Sequence, residues 1–382
     1  MTEEKGVSHQ LVLLPGDGIG PEVISAAETV MVTAREYLRR EGIELSWEAK
    51  PIGGAAIEEA GKPLPDETLT AAQAAKGVLL GAVGGPKWDR LAPQERPEAG
   101  LLGLRRALSV YANLRPATLL PGLEGHSPLR PDAVAGLNVL LVRELTGGVY
   151  FGQPRGRSGE KPARSALDTM AYEEGEIRRV AHVAFRSAQR RQGRVTSVDK
   201  RNVLETSRLW REVVEEVANE YPDVKVEHQL VDAMAMLLVL RPQIFDVVLT
   251  ENMFGDILSD ELGGVVGSLG VMASASLADD GPGLYEPVHG SAPDIAGKDL
   301  ANPLGAILSL AMLAEHSLGL PLLARAIEGA VDEVLRQGLR TQDIGGGGQG
   351  EKVIGTREMG ERVAAALAQS LHSRQALNAT YF

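Results

Sequence analysis

Two aspartates four residues apart provide the strongest chemical signal in the sequence. Asp256 and Asp260 lie in the segment NMFGDILSDE, which follows the apolar run FDVVLT. Positions i and i+4 of a helix share one face, so the two carboxylates repel each other unless a cation lies between them. Oxygen donors without a softer ligand nearby favour Mg²⁺ or Mn²⁺ over zinc. The alternative is a solvated acidic face, which the apolar neighbours Ile257 and Leu258 disfavour.

Asp232 is a third candidate metal ligand, because it begins the predicted helix DAMAMLLVL directly after a predicted strand. Ligands of open α/β sheets bind at the carboxyl ends of strands, which is where this residue lies. An N-cap of the same helix explains an aspartate here equally well. The sequence leaves both roles open.

Three arginines adjoin apolar segments in a chain that is otherwise acidic. Arg143 ends the apolar run LNVLLV. Leu101, Leu102 and Arg105 are spaced so that they share one helical face. Single surface arginines are common, but guanidinium groups suit bidentate binding of carboxylates. We therefore expect Arg105, Arg115 and Arg143 to bind an anionic substrate.

Lys200 and Tyr150 are candidates for proton transfer. Lys200 ends the predicted strand RVTSVDK, and Tyr150 lies in the glycine-rich segment GGVYFG. A lysine whose pKa is lowered by nearby cations can act as a general base. Taken singly, an exposed lysine and a packed tyrosine are the ordinary interpretations.

Two glycine-rich segments could approach a phosphate. The first, Gly16–Gly20, precedes a predicted helix start, but its spacing does not match the dinucleotide fingerprint, so a tight strand-to-helix turn is favoured. The second, His289–Lys298, combines turn residues with helix-start chemistry. Its glycine and Ser291 amides suit a phosphate, and Asp294 could accept hydrogen bonds from a ribose.

The elements that position these residues alternate along the chain, which predicts an α/β fold with a largely parallel sheet. The candidate strands are Leu11–Leu14, Gly77–Gly81, Leu137–Arg143, Val195–Val198, Val224–Leu230 and Val247–Thr250. The candidate helices are Pro21–Arg40, Glu176–Gln192, Ser207–Tyr221 and Pro303–Leu318. The segment Glu144–Met170 is rich in Gly, Arg and Pro and lacks a helical period, which predicts a hairpin or extended arm.

Composition limits the class of protein. A chain of 382 residues is longer than one hydrophobic core usually supports, so two domains are expected. The net charge of -12 disfavours nucleic acid and anionic membrane as partners. The absence of cysteine excludes disulfides, thiolate nucleophiles and cysteine-ligated metals. With no apolar segment of membrane-spanning length and a polar N-terminus, we expect a cytoplasmic protein.

From LPGDGIGPEV to GTREMGERVAAAL, the chain resembles the metal-dependent β-decarboxylating dehydrogenases, and among them most closely the isopropylmalate dehydrogenase group. The motifs that carry the resemblance are GGPKWD, RPEAGLLGLRR, YANLRP, VRELTGGVYFGQPRG, SVDKRNVLE, VDAMAM, NMFGDILSDE and EPVHGSAPDIAGK. The family also holds isocitrate, homoisocitrate and tartrate/malate dehydrogenases. The resemblance implies oxidation and decarboxylation of 3-isopropylmalate to 4-methyl-2-oxopentanoate, with NAD⁺ reduction, in leucine biosynthesis.

The resemblance also implies roles for the candidate residues. Arg105, Arg115 and Arg143 would bind the substrate carboxylates, and Asp256 and Asp260 would hold Mg²⁺ or Mn²⁺. Lys200 would be the base and Tyr150 the acid that protonates the enolate. The partner subunit of a homodimer would supply Lys200 and Asp232 to each site. The substrate side chain would contact Leu101, Leu102 and, from the partner, Val203.

The cofactor and the domains follow from the same resemblance. NAD⁺ would lie along a first segment, Gly85–Glu98, and a second segment, Gly290–Asn302, without a Rossmann fold. Its contacts would be Gly85, Glu98, His289, Gly290, Ser291, Ala292, Asp294, Ile295 and Asn302. One domain would comprise residues 1–110 and 267–382, with the main NAD⁺ contacts. The other, 111–266, would carry the dimer interface and an arm at about 146–170.

Two alternatives remain open at this point. The first is a sibling activity on isocitrate, homoisocitrate, tartrate or malate. The second is a non-catalytic, two-lobed binding protein for organic anions. The second is disfavoured because a binding protein needs neither the base Lys200 nor a set of three aspartates.

Overall fold

The computed structural model describes residues 7–345, 348 and 350–380, with side chains described as far as Ser373. Within that part of the chain, no helix is both long enough and apolar enough to cross a membrane.

The strands alternate with helices in the predicted way. They are β1 (Val7–Gly16), β2 (Ile43–Ala49), β3 (Gly77–Ala82), β4 (Ala112–Thr118), β5 (Asn138–Glu144), β6 (Gly156–Ser158), β7 (Ser165–Leu167), β8 (Arg194–Asp199), β9 (Lys225–Leu230), β10 (Val247–Thr250), β11 (Ala273–Leu277), β12 (Gly283–Pro287), β13 (Leu339–Arg340) and β14 (Lys352–Val353). All six predicted strands are confirmed, with boundary shifts of a few residues at most.

The helices include the four that the sequence pattern predicts. They are α1 (Gly20–Arg40), α2 (Gly53–Ala60), α3 (Asp66–Ala74), α4 (Pro97–Ala107), α5 (Pro131–Val134), α6 (Glu174–Gln189), α7 (Glu205–Ala218), α8 (Val231–Leu240), α9 (Asn252–Val266), α10 (Leu304–His316), α11 (Pro321–Arg336) and α12 (Thr356–Thr380). In α1, for example, the buried residues Val23, Ala27, Val30 and Ala34 recur every three or four positions.

The first compact unit comprises residues 1–109, 120–126 and 267–382, as far as they are described. Its strands are ordered β2-β1-β3-β12-β11. All neighbours pair in parallel except β11, which is antiparallel to β12. The central strand β3 is buried at every position, as expected for a parallel strand covered on both faces.

The second compact unit comprises residues 110–119 and 127–266. Its strands are ordered β4-β5-β10-β8-β9, and again only one neighbour, β4, runs antiparallel. Helices α6, α7, α8 and α9 pack against these strands. The predicted class, α/β with largely parallel strands and flanking helices, is confirmed.

The predicted arm contains a short hairpin. Strands β6 and β7 pair antiparallel, with Arg157 opposite Ala166. Every residue of both strands is exposed, so the hairpin buries no core within its own chain.

The compact units divide the chain differently from the predicted domains at residues 120–126. These residues were expected in the domain 111–266, but they belong to the first unit. Arg340 explains the difference, because its Nη2 atom donates to the carbonyl oxygen of Gly122 over 2.9 Å. A contact across 218 residues leaves no local pattern that composition or periodicity could reveal.

The turn between β1 and α1 contacts the start of α2 and two loops of the first unit. The buried Asp17 carboxylate accepts hydrogen bonds from the backbone nitrogens of Gly54, Ala55 and Gly84, each over 2.8 Å. Gly18 adopts φ +58°, and a Cβ there would lie 2.0 Å from the Ser291 carbonyl oxygen. The segment is thus the expected tight turn, and it also fixes the positions of neighbouring loops.

We expect Asp17→Ala to lower the free energy of unfolding by about 3 kcal/mol, because each buried N–H left unpaired costs about 1–3 kcal/mol. Urea unfolding followed by circular dichroism measures the change. Asp280→Ala is the control, since Asp280 is exposed in the same unit. Equal unfolding midpoints for the two variants would contradict this role for Asp17.

Candidate active site

The carboxyl ends of adjacent parallel strands bring the candidate residues of the second unit to one edge. Thr250 of β10 pairs with Arg143 of β5 on one side and with Val198 of β8 on the other. Helix α9 begins directly after β10, and Lys200 directly after β8. The local sequence therefore places arginine, helix start and lysine side by side at the edge where α/β sheets bind ligands.

Arg143 is buried and held by α9. Its Nε and Nη2 atoms donate to Asn252 Oδ1 over 3.1 and 2.8 Å, and Nη1 donates to Asp256 Oδ1. Only 3% of Arg143 is exposed, so its charge requires these partners.

Arg115 takes a similar position on the antiparallel strand β4. Its Nε donates to Asn113 Oδ1 over 2.7 Å, and its Nη1 donates to Ser259 Oγ over 2.6 Å. The same Nη1 lies 3.7 Å from an oxygen of Asp256 and 3.7 Å from an oxygen of Asp260. The cation expected between the two aspartates is thus, within the chain itself, a guanidinium.

The two aspartates share a face of α9, as predicted, but their electrostatic environments differ. Burial disfavours the ionised form of Asp256, yet Arg143, Arg115 and the Tyr150 hydroxyl together hold the pKa of its carboxyl below the ordinary value. Burial and the charge of Asp256 raise the pKa of Asp260, with Arg115 opposing them. Asp260 is therefore the less fully neutralised carboxylate, and a further cation would favour its ionised form.

Tyr150 lies in a 3-10 turn, Gly148–Tyr150, that reaches the same cluster. Its hydroxyl donates to Asp256 Oδ2 over 2.9 Å, and the Arg143 guanidinium lies 5.8 Å from its ring centre. Partial burial, followed by the hydrogen bond to Asp256, raises the pKa of the phenol. Tyr150 is therefore protonated at neutral pH and has a proton to give.

Lys200 and Asp232 form a separate pair. Lys200 Nζ donates to Asp232 Oδ1 over 2.7 Å, and this bond lowers the pKa of the Asp232 carboxyl. The ion-pair partner of Lys200 within its own chain is thus a carboxylate. Asp232 lies in the first turn of α8, whereas the N-cap is Leu230, so the N-cap alternative is wrong.

The three predicted metal ligands do not assemble within one chain. Among the described residues, no group of three or more His, Asp or Glu side chains is placed to hold a metal ion. Asp256 and Asp260 converge on Arg115, whereas Asp232 pairs with Lys200.

The remaining substrate candidates are placed as follows. Leu101, Leu102 and Arg105 lie on α4, as the spacing predicts. Arg105 Nη2 donates to the buried Glu286 carboxylate over 2.5 Å, while its Nε is buried without a hydrogen-bond partner. Val203, in the second unit, is exposed.

The predicted cofactor segments lie in the first unit. Gly84 directly precedes the first segment, and a Cβ on it would meet the Glu98 carboxylate at 2.7 Å, so the two ends of that segment lie close together. Ile19 N donates to the Ser291 carbonyl oxygen over 2.8 Å, which ties the second segment to the β1–α1 turn. His289 has a buried Nε2 atom without a partner, and Gly290 has open space around its Cα. These features suit a ligand that approaches the backbone closely.

Part of the second segment differs from expectation. The turns predicted at 289–298 are present, since the residues from Pro293 to Asp299 form turns, but the next helix, α10, begins only at Leu304. Gly290, Ala292, Asp294 and Ile295 all belong to this loop. Asn302 is buried, where its Oδ1 accepts from Leu304 N and its Nδ2 donates to Asp343.

These observations define the class as an α/β protein in which guanidinium, carboxylate and phenol groups meet at one sheet edge. The family profile described as isocitrate/isopropylmalate dehydrogenase matches residues 10–363. The chain belongs to that family and is an oxidoreductase.

The chain is similar in sequence to known proteins over nearly its full length. A 3-isopropylmalate dehydrogenase of Halalkalibacterium halodurans is 53% identical over 365 residues, covering 96% of this chain and 99% of that protein. One of Hahella chejuensis is 54% identical over 363 residues, covering 95% and 99%. The crystal structure of isocitrate dehydrogenase from Methylococcus capsulatus superimposes with a TM-score of 0.82 at 36% identity, covering 94% and 99%.

Sequence reasoning missed several residues that hold the site together. They are Asn113, Glu251, Asn252, Ser259 and Glu286. Glu251 accepts hydrogen bonds from Met253 N and Phe254 N at the start of α9, a capping role that its position directly before the helix could have indicated. Asn113 contacts Arg115 two residues along the same strand, whereas Asn252, Ser259 and Glu286 act across distant segments and leave no local signal.

In EDTA-treated protein we expect Asp256→Asn to lower the melting temperature by about 2–4 °C, equivalent to about 1 kcal/mol, since hydrogen bonds to charged groups exceed neutral ones by about that much. Asp260→Asn should not lower it, because burial and the charge of Asp256 already disfavour the ionised form of that carboxyl. Differential scanning calorimetry compares the two. Equal losses in both variants would contradict the different environments of the two aspartates.

Proposed function

We propose that the chain oxidises and decarboxylates 3-isopropylmalate to 4-methyl-2-oxopentanoate with NAD⁺, in leucine biosynthesis. The observation that carries the proposal is the joint presence of Arg115, Arg143, Asp256 and Tyr150 at one sheet edge, in a chain whose relatives bear that activity in their names. A cytoplasmic location, without nucleic-acid or membrane partners, stays a prediction.

The guanidiniums would bind the two carboxylates of the malate core. Arg143 and Arg115 are oriented by Asn252, Asn113 and Ser259, so little side-chain freedom is lost when an anion binds. Arg105, oriented by Glu286 in the first unit, would contribute to the same binding.

Asp256 and Asp260 would hold Mg²⁺ or Mn²⁺. Their oxygens already converge on one cationic nitrogen, at 3.7 Å each, and oxygen-only donors fit these ions. When bound, the divalent cation supplies electrostatic stabilisation of the negative charge that develops on the substrate oxygen. Asp232 of the partner subunit would complete the set.

Proton transfer is assigned to Lys200 and Tyr150. Lys200 of the partner subunit would accept the proton of the substrate hydroxyl as hydride leaves for NAD⁺. Tyr150 would then donate its proton to the carbon of the enolate left by the departure of CO₂. Its raised pKa and its hydrogen bond to Asp256 keep the phenol protonated and oriented for that step.

An exposed apolar surface supports a homodimer. Met236, Val239 and Leu240 of α8 are exposed, together with Ile257 of the adjacent α9. In an ordinary surface helix the apolar residues face the core of the protein. Apolar residues that are instead exposed side by side mark an interface with another molecule. A second copy is the occupant that would also bring Lys200 and Asp232 to a site lacking them.

Subunit sharing can be tested by complementation. A purified heterodimer of Lys200→Ala and Asp260→Asn chains would hold one intact site, so we expect about half of wild-type activity, while each homodimer is nearly inactive. The matched control combines Arg143→Met with Asp260→Asn. Both of these residues serve the site of their own chain, so no intact site forms. If the first heterodimer is as inactive as the control, the sites are not shared.

NAD⁺ is proposed as the cofactor, bound by the loops of the first unit that contain Gly85 and His289–Asn302. The exposed Asp294 would accept hydrogen bonds from ribose hydroxyls and repel the 2′-phosphate of NADP⁺. His289 Nε2, buried without a partner, is the polar atom there that most requires a ligand.

We expect 3-isopropylmalate to give the highest kcat/KM when NADH formation is measured with isopropylmalate, isocitrate, tartrate and malate. Burying three carbons gains roughly 2.4 kcal/mol, or about fiftyfold over malate. Isocitrate would bring an unpaired carboxylate, which costs several kcal/mol. The same assay with NADP⁺ should show slower turnover.

Leu101→Ser should erode the preference for isopropylmalate selectively. Leu322→Ser, on the exposed surface of α11, is the control. If wild-type protein had equal kcat/KM for isocitrate and isopropylmalate, the chain would instead be assigned the isocitrate dehydrogenase activity of its family. If wild-type protein bound these acids but turned over none of them, it would be the non-catalytic binding protein for organic anions.

A further inference from the structure

The side chain of Asn252 connects the two functional parts of the second-unit site. Its Oδ1 accepts two hydrogen bonds from Arg143, and its Nδ2 donates to the Gly147 carbonyl oxygen over 3.1 Å. Gly147 directly precedes the 3-10 turn that carries Tyr150. One buried carboxamide therefore touches both an anion-binding guanidinium and the loop of the proposed acid.

We infer that Asn252 is a positioning residue that sets the place of the Tyr150 hydroxyl relative to Arg143. The inference rests on the proposed function for its kinetic consequence, but the geometric consequence holds for the free protein. The carboxamide touches neither reacting atoms nor the phenol, and it acts through Arg143 and Gly147.

Only a carboxamide meets both demands at this position. The guanidinium requires an acceptor and the carbonyl of Gly147 requires a donor, and asparagine supplies both from one planar group. Aspartate has the same shape and would still accept from Arg143. Its second oxygen would face the Gly147 carbonyl without a proton between them, and the two oxygens would repel.

The surroundings fix Asn252 itself. Its backbone N donates to the Tyr172 hydroxyl over 2.9 Å, and that hydroxyl donates to Glu251 Oε2 over 3.2 Å. Gly148 adopts φ +79°, and a Cβ there would lie 2.6 Å from the Tyr172 hydroxyl oxygen. The loop before Tyr150 is thus packed against the same tyrosine that holds Asn252.

The test compares Asn252→Asp with Asn113→Asp. Asn113 is a matched control because its Oδ1 accepts from Arg115 Nε and the substitution adds the same buried charge beside a guanidinium. In Asn252→Asp we expect kcat to fall roughly 10- to 100-fold, because a small misplacement of a reacting group lowers the rate by up to about that factor. The KM for isopropylmalate should change less, and the solvent deuterium isotope effect on kcat should rise. In Asn113→Asp the isotope effect should stay at the wild-type value.

A second measurement does not depend on turnover. With 3-fluorotyrosine replacing the seven tyrosines, the fluorine resonance of Tyr150 is assigned by its loss in Tyr150→Phe. It should shift in Asn252→Asp and not in Asn113→Asp. If wild-type protein fails to oxidise isopropylmalate, the proposed function fails while this signal still decides the inference.

The inference is overturned if the Tyr150 resonance and the isotope effect respond alike in the two variants. Asn252→Ser and Asn113→Ser repeat the comparison should Asn252→Asp not fold. If both Asn252 variants fail to fold while both Asn113 variants fold, the role of Asn252 is structural and the inference falls.

Discussion

The need to neutralise two buried guanidiniums governs the second-unit site. Arg143 and Arg115 lie at a sheet edge from which water is largely excluded, and an unpaired charge there costs several kcal/mol. Asp256 forms ion pairs with both guanidiniums from one position on α9. Asn252, Asn113 and Ser259 accept further hydrogen bonds from the two arginines. The start and orientation of α9 are therefore fixed by electrostatic contacts as well as by apolar packing.

This arrangement leaves Asp260 less fully neutralised than Asp256. Asp260 shares Arg115 with Asp256 and keeps a raised pKa, so it has capacity for a further cation. Asp232 and Lys200 form an ion pair away from Asp260, and the apolar face of α8 beside that pair is exposed. A second copy of the chain that covered that face would resolve both features at once, because burial of apolar surface and completion of the site would coincide.

The sequence predicted those parts of the structure that depend on local patterns. Apolar runs located β10 and the start of α9, and the spacing of Asp256 and Asp260 placed both on one face. It failed where the cause is remote. Gly122, which accepts a hydrogen bond from Arg340, lies 218 residues from it in sequence. Glu286, which accepts from Arg105, lies 181 residues away, and Ser259, which accepts from Arg115, lies 144 residues away. The pairing of Lys200 with Asp232 was missed for the same reason, since parallel strands β8 and β9 juxtapose residues whose separation in sequence carries no periodic signal.

Manganese titration followed by electron paramagnetic resonance tests most directly the proposal that the carboxylates of α9 and Asp232 of a second copy of the chain form one cation site. We expect one bound Mn²⁺ per chain in wild-type protein, with affinity reduced strongly by Asp260→Asn and equally clearly by Asp232→Asn. Absence of bound Mn²⁺, or binding that survives the loss of Asp232 unchanged, would contradict it.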